Sequence, residues 1–163
     1  MDKKFAIQII ALVLVILGAL YLSSNSSILQ SVLPLNQNLS RTQIKINETV
    51  VNVEVADTPS ERSKGLGGRL SLASNSGMLF VFPETKKTQF WMKGMNFPLD
   101  FIFIRDGKVV DIIPNVQPPL PNQPDSNLPV YEPTVSINMM LEVSAGFVAA
   151  HSIKLGDQVY LIK

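Results

Sequence analysis

Two acidic residues lie inside runs of large apolar side chains, and they are the residues of this sequence best suited to chemistry. Asp100 directly precedes the run FIFI, and Glu142 lies between Leu141 and Val143. An ionised carboxylate in such surroundings costs several kcal/mol unless it is paired or neutralised. Both acids must therefore have partners, or be protonated, and either arrangement can be structural or functional.

The default expectation is structural. In that arrangement each acid binds an arginine or free backbone N–H groups and holds a helix against a sheet. The sequence offers four candidate partners: Arg62, Arg69, Lys93 and the indole N–H of Trp91. Pairing of this kind satisfies the buried charge without any ligand.

A functional role for the same acids stays open in two forms. In the first, Asp100 and Glu142 line a pocket with Trp91, Met92 and Lys93 and bind a polar ligand, with Trp91 as an aromatic floor. In the second, they act as general acid and general base, as in glycoside hydrolysis. That reaction needs a defined separation between the two carboxyl groups, which a sequence does not supply.

Other common chemistries are excluded by composition. There is no cysteine, so disulfides, thiolate zinc sites and thiol catalysis are absent. The single histidine, His151, rules out a multi-histidine metal site and suits the end of a short helix. We therefore predict no metal and no cofactor. After residue 22 the chain carries 12 basic and 12 acidic residues, which argues against a nucleic-acid partner.

The N-terminal residues 1–22 predict a transmembrane anchor or uncleaved signal. Residues 5–22 form an apolar run broken only by Gln8, and as a helix they span about 27 Å, close to the thickness of a bilayer. Lys3 and Lys4 would keep the N-terminus cytoplasmic and send the rest outside, to the periplasm or cell surface. Residues 23–41, rich in Ser, Asn and Gln, predict a flexible tether.

Residues 42–163 predict a mainly-β extracytoplasmic domain, a compact sandwich or barrel with two short helices. The segment TQIKINETVVNVEVA alternates apolar and polar residues with the period of a strand. Further strands are expected at GMLFVF, QFWM, LDFIFI, KVVDII, SINMMLEV and GDQVYLI. Thr58, Pro59 and Glu61 predict a capped helix over Pro59 to Lys64, and SAGFVAAHSI predicts a second short one.

The segment from Pro114 to Pro133 contains seven prolines and predicts a long loop. Loops of this length in compact domains are often lids or binding loops, or else disordered. If the domain has a cleft, we expect it between this loop, the helix at Pro59 to Lys64 and the segment Trp91 to Asp100.

Several of these motifs together resemble one known family. VEVADTPSERSKGL, QFWMKGMNFPLDFIF, DGKVVDI and LEVSAGFVAAHSIKLGD are similar, in this order, to the domain of unknown function 192 family, also called uncharacterised protein family 0127. The resemblance covers Val53 to about Val159. It implies a compact, mainly-β fold, often behind a signal peptide or anchor. The family has no settled biochemical activity, so the resemblance implies no mechanism.

The sequence departs from that family's pattern at three places. Gly67 and Gly68 follow Leu66 where many relatives have Met, Lys93-Gly94-Met95-Asn96 stands where relatives have Lys-Asn-Thr, and the loop cysteines of some relatives are missing. Activities that depended on that asparagine, threonine or thiol are therefore not expected.

We expect a membrane-anchored, extracytoplasmic module that binds an unknown small ligand or an envelope protein. Its candidate ligand-binding residues are Trp91, Met92, Lys93, Asp100, Glu142, Arg62 and Arg69. The alternatives are a cell-envelope hydrolase that uses Asp100 and Glu142, and a structural accessory subunit of a membrane complex recognised through the proline-rich loop.

Overall fold

The computed structural model of the chain describes residues 39–162. The anchor expected at residues 1–22 and most of the tether expected at 23–41 lie outside this range. Within residues 39–162, no helix has the length and apolar character needed to cross a membrane.

Seven strands and two short helices follow one another in an order close to the predicted one. The elements are β1 (Arg41–Ile46), β2 (Thr49–Ala56), α1 (Pro59–Lys64), β3 (Ser76–Lys86), β4 (Leu99–Arg105), β5 (Lys108–Val116), β6 (Ile137–Ser144), α2 (Phe147–Ala150) and β7 (Val159–Ile162). A single 3₁₀ turn at Asp125–Asn127 interrupts the loop between β5 and β6.

The strands form one sheet in the order β5-β4-β6-β3-β2-β1-β7. All neighbours are antiparallel except β2 and β3, which are parallel and are connected through α1. The two edge strands meet where Lys108 bridges Gln158, and there the Val109 N–H donates to the Asp157 carbonyl at 2.9 Å. Gln158 precedes β7 and the contact is a single isolated bridge, so no ladder joins the two edges and the curved sheet is a half-barrel. The mainly-β prediction is confirmed.

Local turn and cap signals form as predicted. Thr58 accepts a bond from the Glu61 amide and Glu61 reaches back to Thr58, which completes the capping box of α1. Asp106 and Gly107 both have positive φ (51° and 73°), as the tight turn of the β4–β5 hairpin requires.

The two faces of the sheet carry separate apolar clusters, because successive side chains of a strand point to opposite sides. On β4, Ile102 and Ile104 belong to the cluster on one face, which we call the inner face. Leu99, Phe101 and Phe103 belong to the cluster on the other face, which we call the outer face. Every residue of β4 except the last is buried. The prediction that this strand is central, with two apolar faces, is confirmed.

Two strands continue past the prolines that follow the predicted segments GMLFVF and KVVDII. Strand β3 continues past Pro83 to Lys86, but its register against β6 shifts between Val81 and Lys86. Strand β5 continues past Pro114, where its register against β4 also shifts. Both prolines lie in irregular stretches, where the missing N–H removes no ladder bond.

The prediction of a strand at QFWM is wrong, because no strand forms over residues 89–92. This segment contributes only one isolated bridge, in which Phe90 and Tyr131 exchange two backbone bonds of 2.8 Å. The Phe90 ring packs against Phe80, Phe82, Phe101 and Phe103. Because Phe90 is anchored from outside the sheet, its segment covers the outer face instead of extending a ladder.

Candidate functional site

Asp100 is held by backbone amides at the end of the half-barrel. Its carboxyl group is buried, at 1% exposure. One oxygen accepts from the Asn115 N–H at 2.8 Å, and the other accepts from the Val148 N–H at 2.9 Å. Val148 lies in the first turn of α2, so the bond fixes this helix to the sheet. Asp100 therefore has the structural role expected by default, through N–H groups and not through an arginine.

Glu142 is buried differently. It is 6% exposed, and no hydrogen bond or ion pair to its carboxyl group is found within residues 39–162. Burial raises the pKa of Glu142 from the ordinary 4.5 to about 8. The carboxyl group is therefore mainly protonated at neutral pH, and it can donate as well as accept a hydrogen bond.

Asp100 and Glu142 do not share a site. Their strands β4 and β6 are neighbours, with Asp100 opposite Val143 and Phe101 opposite Glu142. The two acids therefore project from opposite faces of the sheet. This register shows that the two acids neither line one pocket nor act together as acid and base, so both expectations are wrong.

Glu142 lines a cavity of about 110 Å³ on the outer face. The wall comes from three parts of the chain: the end of α1 with the following turn (residues 62–67), the segment around residues 88–95, and strands β3 and β6. The cavity thus lies between two of the three segments expected to form a cleft. None of its lining residues comes from Pro114 to Pro133.

Thr88 supplies a second polar group without a partner. It lines the same cavity, and its hydroxyl oxygen is the one fully buried side-chain N or O atom within residues 39–162 that makes no hydrogen bond. Such groups are rare in folded proteins. Thr88 could not be identified from its neighbours in the sequence, because the strand predicted next to it does not form.

Trp91 and Lys93 belong to the exposed part of the cavity lining, together with Ser63, Lys64 and Gln89. Trp91 is 49% exposed, and the ammonium of Lys93 lies 5.5 Å from the centre of its ring. Lys93 also pairs with Asp125 at 2.6 Å, which ties the proline-rich loop to this segment. Met92, at 3% exposure, belongs to the outer apolar cluster and does not line the cavity.

The two candidate arginines have separate roles. Arg62 lines the cavity, and its guanidinium donates to the carbonyls of Asp57 and Val81 and lies 5.5 Å from the ring centre of Phe82. Arg69 instead binds Glu54 through two hydrogen bonds. The Arg69 hydrogen bond and charge hold the pKa of Glu54 below its ordinary value. Arg69 is therefore not part of the cavity, contrary to expectation.

Most of the charged residues that line the cavity are basic. Its charged lining residues are Arg62, Lys64, Lys93 and Glu142, and Glu142 is mainly neutral. The lining therefore carries net positive charge.

Among residues 39–162 no group of three or more potential acidic or histidine ligands is close enough to hold a metal ion. His151 lies elsewhere, against the ring of Phe147 at 4.2 Å between ring centres.

Comparisons with known proteins place these features in one family. A model of the DUF192 family, described as "Uncharacterized ACR", matches residues 42–161. A comparison with curated proteins finds no match.

Two crystal structures are similar to this chain. One is of a protein from Sinorhizobium meliloti 1021 that is provisionally named a transcription regulator. It is 29% identical, with a TM-score of 0.68, and the alignment covers 76% of this chain and 95% of that one. The other, a protein of unknown function from Novosphingobium aromaticivorans DSM 12444, is also 29% identical, with a TM-score of 0.68, over 79% of this chain and 90% of that one.

Proposed function

The chain belongs to the DUF192 family, and we propose that it is a binding module whose ligand site is the cavity containing Glu142. The observation that carries the proposal is that the Glu142 carboxyl group has no hydrogen-bond or ion-pair partner among residues 39–162. The other two buried acids each accept backbone hydrogen bonds: Asp100 from two amides and Asp157 from the Lys154 amide at 2.9 Å. A ligand that bonds to Glu142 and Thr88 would offset the free energy that their burial costs.

We favour binding over hydrolysis because the cavity contains one carboxyl group and not two. Hydrolysis of a glycosidic bond by the usual route needs a pair of acids on either side of the scissile bond. Asp100 lies on the other face of the sheet and is fully hydrogen-bonded. The accessory-subunit alternative has less support, because the proline-rich loop is held on the domain by Thr134, Tyr131 and Asp125.

The provisional name of the Sinorhizobium protein is not carried over to this chain. A DNA-binding domain usually has a marked excess of basic residues on one face. After residue 22 the basic and acidic residues of this chain are equal in number.

The proposal includes a membrane location. Residues 5–22 would act as the anchor, with the N-terminus cytoplasmic and the domain in the periplasm or at the cell surface. The test compares the full chain with a chain lacking residues 1–22. The full chain should stay in the membrane fraction after alkaline extraction, and the shortened chain should be released. Recovery of both in the soluble fraction would contradict the anchor.

Ligand binding can be followed through Trp91, which is the only tryptophan in the sequence and lines the cavity. The full chain, in a mild detergent, is titrated with small acids, amides and amines of four to six heavy atoms. At the ceiling of about −1.5 kcal/mol per heavy atom, ligands of four to six heavy atoms bind no more tightly than a Kd of roughly 40 μM to roughly 0.3 μM. At least one compound should change the fluorescence of Trp91 in a saturable way.

Two variants make this titration specific. Glu142→Met replaces the buried carboxyl group with an apolar side chain and should remove the saturable change. Glu84→Gln makes a similar change at an exposed position of β3 and should bind as the wild type does. If no compound binds, or if Glu142→Met binds equally well, the cavity is not the ligand site.

A further inference from the structure

We infer that the cavity receives the carbonyl or carboxylate end of its ligand, to which Glu142 donates a hydrogen bond in its protonated form. The inference rests on the proposed function and adds a chemical class of ligand to it. Three observations support it: the neighbours of Glu142 on the sheet, the charges that line the cavity and the second unpaired polar group.

The neighbours of Glu142 on the sheet favour its neutral form. Met78 lies opposite Glu142 on β3, and Phe101 lies opposite it on β4. Cross-strand partners of this kind have their side chains in contact on the same face. Strands β3 and β4 therefore place only apolar groups beside the carboxyl group. No cation lies within 4 Å of it among the described residues.

The charged groups that line the cavity are all basic apart from Glu142 itself. Arg62 and Lys64 come from α1, and Lys93 comes from the segment beside Trp91. Arg62 is bound to two carbonyls and Lys93 to Asp125, whereas Lys64 has no ion pair within residues 39–162. Their positive potential repels an ammonium group and attracts a carboxylate or the negative end of a carbonyl dipole.

An amine ligand would have to overcome both features. It would pass three basic side chains, and it would bind well only after Glu142 lost its proton among apolar neighbours. A carbonyl or carboxylate oxygen needs neither step, since the protonated carboxyl group is already a donor. The raised pKa of Glu142, about 8, is consistent with this arrangement.

Thr88 gives the cavity a second hydrogen-bonding group. Thr88 lines the same cavity, and its hydroxyl oxygen is buried without a hydrogen-bond partner among residues 39–162. A carboxylate has two oxygens and an amide has one oxygen and an N–H group, so either carries enough hydrogen-bonding atoms for both Glu142 and Thr88.

The test uses three probes of similar size: propionate, propionamide and n-propylamine. Each is titrated into the full chain between pH 6 and pH 9.5, with Trp91 fluorescence for affinity. Carbon-13 NMR of labelled glutamate side chains follows the titration of Glu142. Propionate or propionamide should bind below pH 8. The affinity should fall about tenfold or more between pH 7 and pH 9.5, because the donor proton is lost over that range. Propylamine should not bind.

The Glu142→Gln variant sharpens the result. Its amide N–H₂ remains a donor at every pH, so it should bind propionate or propionamide with no fall in affinity above pH 8. The matched Glu84→Gln variant should keep the wild-type pH profile.

The possible failures are distinguishable. If propylamine binds more tightly as the pH rises and Glu142→Gln loses that binding, the site takes a cation; the inference is then wrong and the proposed function stands. Loss of propionate and propionamide binding in Glu142→Gln, whose amide is still a donor, also contradicts the inference alone. Binding of propionate or propionamide that does not depend on pH would show that Glu142 is not the donor, and this too contradicts the inference alone. If none of the three probes binds at any pH, both the inference and the proposed function are contradicted.

Discussion

Asp100 and Glu142 lie on neighbouring strands and on opposite faces of one sheet. Their carboxyl groups are both buried, but they differ in their hydrogen-bond partners. At the end of the inner face, α2 and the irregular end of β5 bring amide N–H groups to Asp100 at 2.8 and 2.9 Å. On the outer face no amide or cation among residues 39–162 bonds to the carboxyl group of Glu142, and a small cavity adjoins it instead. Burial alone therefore does not indicate the role of an acidic residue. Its hydrogen-bond partners distinguish a structural acid from a candidate site.

The comparison also shows how the fold leaves a site open. The outer face is covered by loop segments that are anchored at a few points, such as the Phe90–Tyr131 bridge and the Lys93–Asp125 pair. Segments held in this way do not fill the space above β6 as completely as a packed helix or second sheet would. The cavity beside Glu142 is the space that they leave.

The largest expected difference between the two acids is in the pH dependence of stability. Glu142 loses its proton near pH 4.5 in the unfolded chain and near pH 8 in the folded one. Between these values the unfolded state binds fewer protons, so the free energy of unfolding falls by about 1.4 kcal/mol per pH unit. The stability that Glu142 contributes is complete below pH 4.5 and is lost as the pH approaches 8.

This prediction is checked by urea unfolding of the wild type and Glu142→Gln at pH 5, 6.5 and 8. The difference in free energy of unfolding between them should change by roughly 4 kcal/mol from pH 5 to pH 8, in favour of the variant. Glu84→Gln, with the same change at an exposed position, should follow the wild type. Parallel curves for the wild type and Glu142→Gln would mean that Glu142 is ionised in the folded protein.

The second-largest effect is expected at Asp100. Replacing it by Ala removes the acceptor of two amides, and hydrogen bonds to a charged group contribute about 1.5–3 kcal/mol each. Since Asn115 is exposed and can bond to water, we expect Asp100→Ala to lower the free energy of unfolding by about 3 kcal/mol. Hydrogen exchange should show faster opening of α2.

Asp57→Ala is the matched control for this loss. The Asp57 side chain is exposed and makes no hydrogen bond or ion pair in the described part of the chain. Surface changes of this kind alter stability by about 0.5 kcal/mol or less. Equal effects of the two substitutions would mean that the two amide bonds to Asp100 contribute nothing measurable to stability.

The fold was largely predictable from the sequence, because strands, turns and caps depend on neighbouring residues. The alternation in β1 and β2, the Asp106–Gly107 turn and the capping box of α1 are all local signals, and all three form. The failures at QFWM, Pro83 and Pro114 arise where pairing with a distant strand decides the outcome. A local pattern does not contain that pairing.

The site was predictable only in part. Two acids in apolar surroundings could be identified from residue types, and four of the candidate residues, Arg62, Trp91, Lys93 and Glu142, do line one cavity. Their partners could not be identified, since Asp100 binds an amide 48 residues further along the chain. Thr88 was missed for the same reason. It lines the cavity together with residues 62–67 and 142, which no spacing rule connects to it.

A third acid, Asp111 on β5, gives a smaller test of the same comparison. It accepts bonds from the Thr134 amide at 2.7 Å and hydroxyl at 2.9 Å, and so holds the proline-rich loop on the domain. Partial burial opposes its ionisation, but the bonds from Thr134 and Ile112 outweigh that effect and lower the pKa of Asp111. The stability that Asp111 contributes is thus present above its unfolded pKa near 3.8 and lost as the pH falls below it.

At neutral pH, Asp111→Ala should lower the free energy of unfolding by about 1–2 kcal/mol. Limited proteolysis should show faster cleavage within residues 117–133, and Thr134→Val, which keeps the amide donor, should show a smaller increase. Unchanged cleavage in Asp111→Ala would mean that the loop is held by its other contacts, at Tyr131 and Asp125.

The smallest effect on stability is expected at Trp91, and its neighbour Phe90 provides the contrast. Phe90 packs among four aromatic rings on the outer face, whereas Trp91 is half exposed and the ammonium of Lys93 lies over it. Truncation of a buried Phe costs about 3–5 kcal/mol because it leaves a cavity. Trp91→Ala leaves none, and we expect it to lower the free energy of unfolding by about 1 kcal/mol or less.

Phe90→Ala and Trp91→Ala therefore distinguish a residue that contributes to core packing from an adjacent residue that contributes to ligand binding. Chemical unfolding followed by circular dichroism measures both, since fluorescence is lost in Trp91→Ala. The same variant, titrated with propionate and followed through the carbon-13 signal of Glu142, should bind more weakly than the wild type. A loss of stability as large as that of Phe90→Ala would make Trp91 a core residue. In that case the exposed part of the cavity lining would consist of Ser63, Lys64, Gln89 and Lys93.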